Sequence, residues 1–120
     1  MRFVWVGIAG AVGSVLRYVV GLAFSGTRFP WGTLSVNIVG SLALGFVFSW
    51  GLTRWPSSVT TPIAVGLIGG FTTFSTFAWK SMSMVGNEQA HYATAYVLAS
   101  VIGGLLAASL GYAVGRSLRR

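Results

Sequence analysis

Four long apolar runs constrain this chain more than anything else in it: roughly Phe3 to Phe24, Gly32 to Thr53, Pro62 to Val85 and Tyr92 to Gly115. A helix needs about 20 apolar residues to cross a hydrocarbon core of about 30 Å, and each run meets that length. Between them lie short polar stretches rich in turn residues, namely Ser25 to Pro30, Arg54 to Ser58 and Gly86 to Gln89. These connections are too short to hold a second domain, so residues 1–120 read as a single four-helix membrane unit. Only 8% of the residues are charged, against about 25% in soluble proteins, so no water-facing shell can be built. Trp5, Trp31, Trp50 and Trp55 stand near run ends, where an amphipathic ring suits the headgroup layer; Trp79 does not.

The charge balance excludes several functions. Eight Lys and Arg against one acidic residue, Glu88, give a net charge of +7. A nucleic-acid binder would gather its cations on one soluble face, whereas these are dispersed between apolar runs. With no cysteine, one carboxylate and one histidine, His91, the chain has no thiolate chemistry, no carboxylate pair and no histidine-rich metal set. Arg2 followed by apolar residues to Leu16 has the outline of a signal peptide, but apolar sequence resumes after Arg17, so the segment reads as the first span.

Small residues recur at helical intervals, which in lipid allows close approach of backbones. In the fourth run they are Ala95, Ala99, Gly103, Ala107, Gly111 and Gly115; the second has Ser41, Gly45 and Ser49, and the first Gly10 and Ser14. Such stripes report packing and carry no functional information.

Polar residues inside spans by default face protein or water. Thr33, Asn37 and Ser41 share one face of the second run, and Tyr96 and Ser100 share one face of the fourth. Interhelical hydrogen bonding accounts for each of these taken singly, and Asn37 is equally compatible with a pore. The third run holds Gly69-Gly70-Phe71-Thr72-Thr73-Phe74-Ser75-Thr76-Phe77. Paired glycines followed by hydroxyl residues predict a helix break at mid-membrane, which is tolerated only where protein or a cavity covers it. On a continuous helical wheel Phe71, Phe74 and Phe77 form an aromatic edge beside a track of Thr72, Ser75 and Thr76. Ordinary core packing with hydroxyls bonded back to the preceding turn explains either feature alone, but not both beside a break. Hydroxyl and amide donors with the positive edges of phenyl rings suit a small, strongly hydrated anion, and they present no fixed cation that would trap it. Fluoride fits this description best.

These stretches, with Trp31 to Ser41 and Gly10 to Tyr18, strongly resemble the small fluoride channels of the Fluc (CrcB-type) family, in order and over essentially the whole chain. The resemblance implies an all-α integral membrane protein of the prokaryotic plasma (inner) membrane. Its four transmembrane helices, the third broken, would pair with a second, antiparallel subunit in a dual-topology dimer with two pores. Fluoride would leave the cytoplasm passively, without covalent chemistry, organic cofactor or nucleic acid. The resemblance assigns the fluoride pathway to Thr33, Asn37, Phe74, Ser75, Thr76, Phe77, Tyr96 and Ser100, and a vestibule role to Arg17. It gives Gly69 and Thr72 backbone carbonyls that hold a structural sodium ion shared between subunits. One departure is Lys80, where many members carry an acid; it is expected to lie outside the pore pattern.

Arg2, Arg54, Arg116, Arg119 and Arg120 would share one side against Arg28 and Lys80 on the other, which favours termini in the cytoplasm. Pairing with itself and pairing with an oppositely oriented paralogue both remain open. A small dual-topology multidrug exporter would need a titratable carboxylate in the membrane, and Glu88 falls in a loop. A holin-like pore would not require the ordered Asn, Thr and Phe pattern.

Overall fold

The computed structural model describes residues 1–119, and every regular element among them is a helix. Four helices are long and apolar enough to cross a membrane: α1 (Arg2–Ala23), α2 (Trp31–Arg54), α3 (Ser57–Gly86) and α4 (Ala90–Leu118). They alternate in direction, so the termini and the α2–α3 connection share one end, and the α1–α2 and α3–α4 loops share the other. The long axis of 48 Å is that of a bilayer with its headgroups, about 40–45 Å. Outer faces are apolar: Phe3, Ile8, Val15 and Leu22 on α1, and Leu98, Leu105 and Leu110 on α4, are all exposed on the single chain. The protein is a multi-pass membrane protein.

α3 begins at Ser57, ahead of the expected Pro62, because Pro56 is extended (ψ 162°) and ends the turn, releasing the chain into helix. Pro62 lacks an N–H, and the helix from Pro62 to Ile68 widens to π geometry around it. A second wide turn, Val47–Gly51, lies near the end of α2.

Small residues fix the helix contacts, as their spacing predicted for α2 and α4. A methyl group on Gly111 would collide with the Leu42 carbonyl, and one on Gly45 with the Ala108 carbonyl, so these two backbones touch. α1 meets α3 at the expected Gly10, whose backbone a Cβ on Gly70 would strike, and also at Gly13, where a Cβ would strike the Leu67 carbonyl. Gly7, by contrast, faces open space. We therefore expect Gly111→Ala to cost about 1–3 kcal/mol through overpacking, and Gly7→Ala to be neutral, read as thermal midpoints of the purified protein in detergent.

Candidate functional site

The site is built around the interruption of α3. Gly69, Gly70 and Phe71 are helical, then Thr72 (φ −89°, ψ 157°) and Thr73 (φ −152°, ψ 125°) are extended, and helix resumes at Phe74. The Thr72 N–H still makes the last helical bond, to the Ile68 carbonyl at 3.0 Å, and its hydroxyl bonds back to the same carbonyl at 3.0 Å, so the helix ends at this residue where ψ turns extended. Thr73 restarts it as an N-cap, its Oγ1 accepting the Thr76 N–H at 3.2 Å. The aromatic edge expected of a continuous wheel therefore does not form as drawn. Phe71 belongs to the half before the break, and only Phe74 and Phe77 share a helix, with ring centroids 5.8 Å apart.

Asn37, from the middle of α2, closes the gap. Its Nδ2 donates to the Thr73 carbonyl at 3.1 Å, and its Oδ1 accepts the Thr73 N–H at 2.9 Å. An amide with one donor and one acceptor side by side reproduces the pairing of a sheet neighbour for a single residue. Gly40, one turn further along α2, leaves room for the Thr72 methyl, which any side chain there would displace.

These substitutions of partner release two other groups. In an unbroken helix the Gly69 carbonyl would accept from the Thr73 N–H, and the Thr72 carbonyl from the Thr76 N–H. Both donors are taken, by Asn37 and by the Thr73 side chain. With Phe74 and Ser75 opening a new helix, the break frees the carbonyls of Gly69, Gly70, Phe71 and Thr72 from helical donors, and Gly69 is exposed on the single chain. Oxygen donors of this kind suit a hard cation.

Two cavities flank the break, and Thr73 borders both. One, of about 490 Å³, brings together Asn37, Gly69, Thr72, Phe74, Phe77 and Ser100. The other, of about 260 Å³, holds Arg17, Thr33, Thr76 and Lys80. Ser75 borders neither; it is exposed, with its Oγ 3.4 Å from Thr73 Oγ1. Tyr96 is completely buried, its ring 5.2 Å from that of Phe77. The hydroxyl of Ser100 is buried without a hydrogen-bond partner, and that of Tyr96 is buried beside the Thr33 side chain. Phe74 is 78% exposed, so one side of the larger cavity is open on the single chain.

Arg17 does not simply reach for the interface; its Nε donates to the Gly70 carbonyl at 3.3 Å, tying α1 to the break. Lys80 corrects an expectation. It is not remote from Thr33, Thr76 and Arg17, because its Nζ donates to Thr33 Oγ1 at 3.0 Å within the smaller cavity. An ammonium can only donate, so the Thr33 oxygen accepts and its own proton is left for another partner. Thr73 and Lys80 were the residues missed. An N-cap signal, threonine with Thr76 three positions on, marked the first, and the one-turn spacing from Thr76 marked the second.

Residues 4–112 match the family model described as CrcB-like protein, Camphor Resistance (CrcB). The chain belongs to this family. Among its relatives is a protein named fluoride-specific ion channel FluC from Magnetococcus marinus, 40% identical over 97% of this chain and 98% of that one. Proteins of the same name from Sphingopyxis alaskensis (44% identical, 92% of each) and Bordetella pertussis (38%, all of this chain and 95% of that one) are similar at comparable length.

The geometry makes Asn37 a structural keystone whatever passes beside it. In Asn37→Ala the Thr73 N–H and carbonyl are left without partners, at about 1–3 kcal/mol for each buried group. Amide hydrogen exchange at Thr73 and Phe74 should then quicken about tenfold or more, with the ends of α3 unchanged.

Proposed function

We propose that this protein is a subunit of a fluoride-selective channel that lets cytoplasmic fluoride leave passively down its electrochemical gradient. The observation that carries this is the set of hydroxyl and amide groups around the break that have protons to spare and no carboxylate beside them. Ser100 has an unpartnered hydroxyl, the Tyr96 and Thr33 hydroxyls lie against one another with Lys80 on the Thr33 oxygen, and the only acidic side chain, Glu88, is in the α3–α4 loop. Donors fixed by the fold can replace the water of a dehydrating anion, and neutral donors let it go again. The names of the full-length relatives support fluoride as that anion.

The pathway in this reading runs past Arg17 and Thr33 to Thr76, then along Asn37, Ser75, Phe74 and Phe77, with Tyr96 and Ser100 facing them from α4. Phenyl edges carry positive quadrupole charge and repel less than a carbonyl would. Conduction breaks and makes no covalent bond, so the protein is a transport protein and not an enzyme.

A second subunit in antiparallel orientation completes the site. Exposed Gly69, Ser75 and Phe74 at mid-membrane would otherwise set a broken helix against lipid, where no water satisfies its carbonyls. A twofold partner brings a second Gly69 and Thr72 to the same place, and a sodium ion would be held by the four carbonyls, supplying a fixed positive charge that locks the two breaks together. The partner is a copy of this chain or a paralogue of opposite orientation.

Liposomes containing this purified chain alone and loaded with fluoride should empty rapidly, while chloride-loaded controls stay full, as followed with ion-selective electrodes. Phe74→Ile and Asn37→Asp should reduce fluoride loss to that of protein-free liposomes while still purifying as the same oligomer. Equal loss of both anions would overturn the selective reading. Replacing sodium on both sides by a large organic cation should slow fluoride efflux if the carbonyl site is filled by sodium, and unchanged efflux would remove the ion from the reading.

A further inference from the structure

The end of the molecule that carries the termini holds an arginine-lined cleft with no part in the pathway. It has a volume of about 560 Å³ and is lined by Thr53 and Arg54 at the end of α2 and by Arg116 and Arg119 at the end of α4. Among the described residues no acidic side chain lines it, and Glu88 is at the opposite end. Three guanidinium groups thus share one cleft that no acidic side chain among the described residues enters.

Two of the three are held in place. Arg119 Nη1 donates to the Ser49 carbonyl at 3.1 Å, in the wide turn of α2, which leaves the rest of its fork free. Arg54 stacks over Trp50, its guanidinium carbon 5.8 Å from the ring centre. Trp50 in turn stacks on Phe46 (5.4 Å) and meets Trp55 edge-on (5.2 Å). A tryptophan pair at a helix end marks the depth of the lipid headgroups, so the cleft opens where phosphodiesters lie. The C-terminal dipoles of α2 and α4 offset part of the charge, about half a unit each, and leave the cleft positive.

We propose that this cleft binds the phosphate of an anionic phospholipid on the termini side of the membrane. Arginine forks match phosphate oxygens two at a time, which lysines or a diffuse charge would not do. Basic sites between helix ends at headgroup depth are a recurrent form of lipid recognition. The lipid would clamp the ends of α2 and α4, the pair whose backbones touch at Gly45 and Gly111.

The test uses full-length protein in neutral detergent, with the thermal midpoint and native mass spectrometry as readouts. Dioleoyl phosphatidylglycerol should raise the midpoint and remain bound, whereas phosphatidylcholine and inorganic phosphate at equal concentration should do neither. The triple variant Arg54→Gln, Arg116→Gln, Arg119→Gln should lose the response. The triple lysine variant, which keeps the charge that sets orientation, should fold normally and retain at least about tenfold less lipid, the worth of one lost bidentate contact. An equal response to phosphatidylcholine, a full response to inorganic phosphate, or lipid retention by the glutamine variant at the level of the unmodified chain would each overturn the proposal.

Discussion

A backbone that leaves the helix in hydrocarbon must still pair every N–H and C=O, and this one requirement organises the centre of the molecule. Thr72 and Thr73 are extended within α3, and three elements answer for them. Their own side chains take Ile68 and Thr76, Asn37 of α2 takes both groups of Thr73, and Arg17 of α1 takes the Gly70 carbonyl. Residues that look like separate polar stripes in three spans are thus one network around a single defect. What the network leaves without a donor are the carbonyls of Gly69, Phe71 and Thr72, and Gly69 and Phe74 beside them are exposed on the single chain. The same requirement that shapes the subunit therefore calls for something beyond it.

The distribution of charge follows a second rule. No carboxylate enters the membrane, and the two cations that approach the break are tethered, Arg17 to a carbonyl and Lys80 to the Thr33 hydroxyl. A tethered ammonium spends part of its field on its acceptor, so it can draw an anion into the cavity with less risk of holding it there. Lys80 also turns Thr33 into a donor, a change of hydrogen-bond polarity that an acid at that position would reverse.

Hydropathy made the number of spans and their loops legible, because length and apolarity decide whether a helix can cross lipid. The break was also legible, in the glycine pair and the hydroxyl run. Its phase was not. A helical wheel assumes unbroken 3.6-residue periodicity, and two extended residues reset it, so Phe71 left the aromatic edge that Phe74 and Phe77 share. Lys80 was misjudged for a related reason: its side chain reaches back along α3 toward Thr33 on another helix, and a long, flexible cation can travel a full turn from its own Cα. The part of Asn37 could be narrowed to pore or glue from sequence, while the choice of Thr73 as its partner depends on how α2 and α3 pack.

Packing also distinguishes a channel from a pump among small four-span proteins. Alternating access needs helices that slide or rock, and coupling to protons needs a titratable carboxylate inside the membrane. Here α2 and α4 approach at Gly45 and Gly111, and α1 and α3 at Gly13, so closely that no side chain fits between the backbones. The only carboxylate is in a loop. A closely packed scaffold whose only acidic side chain is in a loop is suited to holding fixed donors along a stationary path, and an ion moving past them needs no cycle of the protein.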